Sequence, residues 1–295
     1  MGVLADKSQP GRYRMIAIDL DGTLLSPDGR VTPRAKAAVH RALSAGLLVC
    51  FATGRNWTES RAVLDAVEHY GTAVFVGGAM VIDTEKEVTL HRMMMGAPLA
   101  RELCAFLEAE GHAALALQDT ATAGVDYLVT SGVPLNAATR GWMNVTDATV
   151  HSVPRLGEYP HEHTVRVGIC AEPAEVQRVR GDLIRRFGER VVCLSLFVPA
   201  YNVEVMEVFD PAVNKWEGVL HVAKNHGIDP TRIVAIGDDV NDITMIRGAG
   251  LGVAMGNARP EIQAIADRVI GANHDEGLAA FLDELVDGHL VEAGR

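Results

Sequence analysis

The stretch MIAIDLDGTLL, Met15 to Leu25, decides how the fold is read. Its apolar start reads as a buried strand, Ile16 to Leu20, yet it delivers two aspartates, Asp19 and Asp21, followed at once by Gly22-Thr23. In an open parallel sheet, ligands bind outside the carboxyl ends of the strands, which is where these carboxylates fall. Spacing of two puts both side chains on one face if the strand persists, and Gly22 permits a tight loop that aims them at one substrate. The Thr23 hydroxyl can orient a neighbouring carboxylate.

Working outward, short apolar runs alternate with helical patterns at both ends of the chain, the signature of βα units. Leu47 to Ala52, Ala73 to Val76, Arg232 to Ile236 and Gly252 to Ala254 read as further strands; Thr32 to Ser44, Trp57 to His69, Asn214 to Asn225 and Asn241 to Arg247 read as helices. The middle is richer in strands. It includes a hairpin (Met80 to Ile82, Glu87 to Leu90), strands at Tyr127 to Val129, Thr164 to Cys170, Val191 to Phe197 and Asn202 to Val208, and helices at Leu99 to Glu110 and Pro173 to Phe187. The expected organisation is a tail over 1–12, a core over 13–82 and 209–295, and an inserted α+β domain over 83–208. The expected class is α/β, with a Rossmann-like, doubly wound parallel-sheet core.

Composition fits this reading. In 295 residues, hydrophobic residues make up 48% and charged residues 22%, enough for a core. A formal net charge of -11 argues against a nucleic-acid partner, though not against an anionic substrate served by local groups. No apolar run approaches the roughly 20 residues of a membrane span, and the start lacks the apolar core of a signal peptide. A cytoplasmic protein without a membrane partner, monomeric or homodimeric, is expected. Cys50, Cys104, Cys170 and Cys193 lie far apart, mostly in apolar contexts, and read as buried free thiols.

Three polar clusters end strands: Asp19 and Asp21; Thr53-Gly54-Arg55; and Asp238, Asp239, Asn241 and Asp242 in GDDVND. Asp19, Asp238 and a backbone carbonyl form the sparse oxygen set suited to Mg²⁺, which keeps waters and takes a substrate phosphate oxygen. Asp19 could then attack phosphorus, while Asp21 protonates the leaving alcohol and later activates water. Thr53 and Gly54, at a helix start, can bind phosphoryl oxygens. Lys215 begins a helix, where lysine works against the macrodipole, and gains a role if it faces Asp19 and the phosphoryl group. Read singly, each is also ordinary: a turn, a helix cap, a helix start, a solvated lysine. Together, at strand ends, they point to one rim.

DLDGT, TGR, the lysine and GDDVND, in this order and spacing, resemble the four motifs of the haloacid dehalogenase (HAD) superfamily, and the insert between TGR and the lysine resembles the type IIB cap of Cof-type phosphatases. The resemblance implies a phosphoric monoester hydrolase acting on small phosphorylated metabolites such as sugar phosphates. Asp19 would be nucleophile and Mg²⁺ ligand, Asp21 acid/base and a ligand through its backbone carbonyl, and Asp238 the remaining ligand. Leu20, Thr53, Gly54, Lys215 and Asn241 would hold the phosphoryl group, with Asp242 orienting Lys215 or a metal-bound water. The cap would close over the core and select the leaving group. Alternatives are a phosphosugar mutase and a non-catalytic phosphate-ligand sensor. Where the family often has Asn-Gly-Ala, this chain has Gly77-Gly78-Ala79.

GAGLGVAMGNA, Gly248 to Ala258, lacks G-x-G-x-x-G spacing and reads as a short buried strand between turns. His161-Glu162-His163 lacks the spacing of a helical zinc site. Met93 to Met95 reads as packing at the edge of the insert or as part of a flexible mouth.

Overall fold

In the computed structural model, residues 13–198 and 203–288 are described. Two compact units emerge, Met1–Leu90 with Asn214–Arg295, and His91–Val213. The boundaries therefore fall at 90/91 and 213/214, against 82/83 and 208/209 in the sequence reading. On the first side the reason is a hairpin arm that stays in a three-stranded sheet with the preceding strands.

The first unit opens with β1 (Met15–Ile18), α1 (Pro33–Ser44), β2 (Leu48–Phe51), α2 (Trp57–Val67), β3 (Thr72–Phe75), β4 (Met80–Asp83) and β5 (Val88–Arg92). The second unit carries α3 (Ala97–Ala109), β6 (Leu115–Gln118), α4 (Thr120–Ala123), β7 (Tyr127–Thr130), α5 (Ala137–Val145), β8 (Val150–Val153), β9 (Thr164–Ala171), α6 (Pro173–Phe187), β10 (Val192–Val198) and β11 (Val203–Phe209). The chain then returns with α7 (Lys215–Asn225), β12 (Ile233–Gly237), α8 (Ile243–Gly248), β13 (Leu251–Ala254), α9 (Pro260–Gln263), β14 (Arg268–Val269) and α10 (Gly277–Asp287).

The core sheet runs β14-β13-β12-β1-β2, and its pairings are parallel. A bridge from Ala52 to Val74 links β3 to its edge. β1 and β12 are buried along their whole length, as central parallel strands covered on both faces must be, which is why MIAI and IVAIG are unbroken apolar runs. Helix starts are written locally. Thr32 caps α1 by accepting the Ala35 N–H with Pro33 at the first position; Asn56 and Glu59 form a capping box on α2; Asn214 caps α7. The second unit is α+β. Its sheet runs β10-β11-β9-β6-β7-β8, and Leu103 and Leu107 of α3 with Val179 and Leu183 of α6 join Val167 and Ile169 of β9 in one buried cluster.

Several boundaries move. β1 ends at Ile18 rather than Leu20, because Leu20–Leu24 forms a single wide turn closed by the Leu25 N–H on the Leu20 carbonyl at 2.9 Å. α2 stops at Val67, since Glu68 turns into the left-handed region at φ 56°. α5 has no counterpart in the sequence reading; its Gly, Thr and Asn residues are weak helix formers, and it rests on an Asn136 cap and a Trp142–Tyr127 edge contact. Asn202, read as a strand start, lies outside the described residues. The cysteines are free, three buried and Cys193 half-buried. Burial pushes the Cys50 thiol up to about 12 and the Cys170 thiol up to about 11, so neither is a reactive thiolate. Met95 is buried in the second unit's core, whereas Met94 is exposed. Among the described residues no helix is long and apolar enough to cross a membrane.

Candidate active site

Adjacent parallel strands bring the predicted residues to one rim. Asp19 is the first residue beyond β1, and its N–H donates to the Ile236 carbonyl of neighbouring β12 at 3.0 Å. Asp238 is the first residue beyond β12. Asp242 reaches back under it: its Oδ2 accepts the N–H groups of Asp238 and Asp239 at 2.9 and 3.0 Å. That approach requires Gly237, because a Cβ there would lie 2.4 Å from the Asp242 carboxyl carbon.

Lys215, at the start of α7, is 1% exposed. Its ammonium donates to Asp19 Oδ1 at 2.5 Å and to Asp242 Oδ1 at 2.6 Å, with Asp19 5% and Asp242 0% exposed. Burial opposes its charge, but the two carboxylates outweigh burial and hold the ammonium above its ordinary range. Three carboxylates nevertheless share one ammonium. Burial raises the Asp19 carboxyl well above its ordinary value; Lys215 pulls it down, and Asp242 and Asp238 push it up. Burial, with Asp242 and Asp239 beside it, lifts Asp238 to about 7.

Oxygens of Asp19, Asp238 and Asp242 lie within 4.8 Å of one another, and among the described residues this is the only group of three or more acidic, histidine or cysteine side chains placed to share an ion. An all-oxygen donor set with surplus negative charge fits a hard divalent cation. By contrast, the His161 ring nitrogens face the Leu156 carbonyl and Thr164 Oγ1, and His163 Nδ1 faces Thr122 Oγ1.

The remaining predicted residues surround this cluster. Gly22 takes φ 77°, and a Cβ on it would lie 2.1 Å from Asp238 Oδ2, so the loop packs its backbone directly on that carboxylate. Thr23 Oγ1 donates to Asp238 Oδ1 at 3.5 Å. Thr53 is buried and its Oγ1 accepts the Arg55 N–H at 3.1 Å. Gly54 faces the Asn241 amide, 3.7 Å from where its Cβ would stand. Leu20 is buried in the wide turn. Asp21 does not join the acidic group; Arg55 Nε donates to its Oδ2 at 2.7 Å and Arg55 Nη2 to its Oδ1. Gly77 takes φ 63°, a region open to Gly and Asn alike, and the preceding Val76 lies there too at φ 54°, rare for a β-branched residue.

Two contributions are absent from the sequence reading. One is the Arg55 fork on Asp21. The other is Asn257, just past β13, whose amide donates to the Gly22 carbonyl at 2.8 Å and approaches Asp238 Oδ2 at 3.4 Å. GAGLGVAMGNA does contain a buried strand, but the asparagine beyond its carboxyl end faces the same rim. The available signal was only its position shortly after the end of an apolar run; its reach to Gly22 had none.

A family model described as haloacid dehalogenase-like hydrolase matches residues 16–282. The chain belongs to this family. The HAD chain is 30% identical to 5-amino-6-(5-phospho-D-ribitylamino)uracil phosphatase YitU of Bacillus subtilis, over 92% of this chain and 96% of the relative. It is 26% identical to the HMP-PP phosphatase of Serratia proteamaculans, over 92% and 94%. Among solved structures, the HAD subclass IIB sugar phosphatase BT4131 has the same fold, with a TM-score of 0.72 at 20% identity, covering 92% of this chain and 98% of that one. The chain is thus an enzyme of the HAD phosphatase type, Cof-like.

Proposed function

We infer that this HAD phosphatase hydrolyses small phosphorylated metabolites through an aspartyl-phosphate, with Mg²⁺ as its cation. The observation that carries this reading is the buried cluster of Asp19, Lys215 and Asp242 with the half-buried Asp238 beside it, in which an attacking carboxylate, a fixed cation and a divalent-metal donor set share a few ångströms. The relatives' names, which specify phosphorylated small molecules, support the substrate class.

Asp19, Asp238 and the Asp21 carbonyl would hold the Mg²⁺, which when bound offsets the surplus negative charge and polarises the phosphoryl oxygens. Lys215 cancels charge on the same oxygens, and the Leu20 and Gly54 N–H groups, Thr53 and Asn241 orient them. A carboxylate oxygen of Asp19 forms a bond to phosphorus as the P–O bond to the alcohol breaks, and Asp21 gives its proton to the departing oxygen. Asp21, now a base, takes a proton from water; the water oxygen attacks phosphorus, and the Asp19–phosphorus bond breaks to release phosphate. Asp242 keeps Lys215 aimed at Asp19. The ion pair with Arg55 must loosen for Asp21 to work as an acid.

The test is phosphate release from sugar phosphates, nucleotides and pyridoxal phosphate, each with Mg²⁺ and with EDTA. Release from at least one class, abolished by EDTA, is expected. Absence of release from every compound with Mg²⁺ would overturn the reading.

A further inference from the structure

We propose that Asn257 is a positioning residue that fixes the metal-facing carboxylate of Asp238 and the loop of Asp21 in register with each other. The proposal rests on the phosphatase reading for its consequences in turnover, but not for its consequences in metal binding.

The geometry makes an amide necessary. Asn257 Nδ2 donates one hydrogen to the Gly22 carbonyl at 2.8 Å, and its second is directed at Asp238 Oδ2, 3.4 Å away. Its Oδ1 accepts the Asn273 N–H at 2.8 Å. A backbone donor on one side and a backbone acceptor on the other fix which way the amide faces. No carboxylate could replace it, because an oxygen in place of Nδ2 would meet two acceptors. The network continues: Asn273 Nδ2 donates to the Leu25 carbonyl at 2.9 Å. The wide turn of residues 20–24 is therefore stapled at Gly22 and at Leu25 to the segment that follows β13.

The need for this staple follows from the crowding. Gly22 lies against the Asp238 carboxylate so closely that no side chain fits, and the Gly22 carbonyl and Asp238 Oδ2 both face one amide, so each loses a donor if that amide is removed. Asn257 is that donor on Oδ2, while Thr23 occupies Oδ1. Outer partners of this kind, when removed, typically lower metal affinity or activity about 10- to 100-fold.

The experiment measures Mn²⁺ binding by electron paramagnetic resonance, and kcat and KM for a phosphate ester at saturating Mg²⁺, in the full chain. Asn257→Ala is expected to weaken Mn²⁺ binding by about 10-fold or more, with kcat falling and KM for the ester little changed. Asn257→Asp keeps the acceptor for Asn273 but loses both donors, so its kcat should fall as well; were Asn257 merely a structural anchor for Asn273, this variant would stay active. Wild-type Mn²⁺ affinity in Asn257→Ala, or wild-type kcat in Asn257→Asp, overturns the proposal. Should Asn257→Ala fail to fold, Asn257→Asp decides alone. A wild-type chain that binds Mn²⁺ but hydrolyses nothing would sink the functional reading, and the Mn²⁺ measurement would still judge Asn257.

Discussion

Lys215 and Asp242 form an ion pair at 2.6 Å in which neither side chain is exposed to solvent. Such a pair, once desolvated, cannot lose one member cheaply. Lys215→Met leaves Asp19 and Asp242 buried without their counter-charge, and the expected loss is about 3–5 kcal/mol of stability together with all turnover. Urea unfolding followed by circular dichroism checks the first, and phosphate release the second. Unchanged stability would mean that water or ions reach the cluster.

Asp19→Asn has the opposite signature. It removes the proposed nucleophile while relieving a site where three carboxylates share one ammonium, and Lys215 keeps Asp242 as partner. Turnover should vanish while the melting temperature stays at or above that of the wild type. Retained hydrolysis would remove Asp19 from the nucleophile role.

Gly22→Ala tests the packing of loop on carboxylate. The substitution strains a backbone at φ 77° and drives a methyl into Asp238 Oδ2. Stability should fall by about 1 kcal/mol or more, and Mn²⁺ affinity and turnover should fall with it, as measured by denaturation, paramagnetic resonance and phosphate release.

His161 gives the second unit a pH dependence with a definite sign. Burial holds its imidazole below the ordinary 6.5, although the Leu156 carbonyl pulls the other way. The folded chain then binds fewer protons than the unfolded one, so this contribution to stability is complete above about 6.5 and is lost as pH falls toward the folded value. Imidazole nuclear magnetic resonance should report a His161 midpoint below that of a denatured peptide. A midpoint at or above 6.5 would contradict it.

Much of the rim was legible because each chemical group is anchored to an apolar run that can only be a central strand. MIAI before Asp19, LVCF before Thr53 and IVAIG before Asp238 each announce burial on both faces, and their polar successors must then face one edge. What stayed hidden was contact between loops. Nothing in the pattern of GAGLGVAMGNA tells that its asparagine reaches Gly22, and nothing in TGR tells that Arg55 grips Asp21; both depend on turns whose backbone angles no periodicity encodes. α5 was missed for a related reason: its weak helix formers are held by a cap and an aromatic contact, not by propensity.

β1 lies between β2, which follows after one helix, and β12, which lies beyond the whole second unit. During synthesis, therefore, β1 leaves the ribosome with one edge it cannot pair until residues 233–237 have also emerged. Throughout that interval the nascent chain carries an apolar, template-like border that invites association with other chains. Folding of the second unit does not close that edge; only continued elongation does, and a translational pause before β12 emerges would lengthen the exposure.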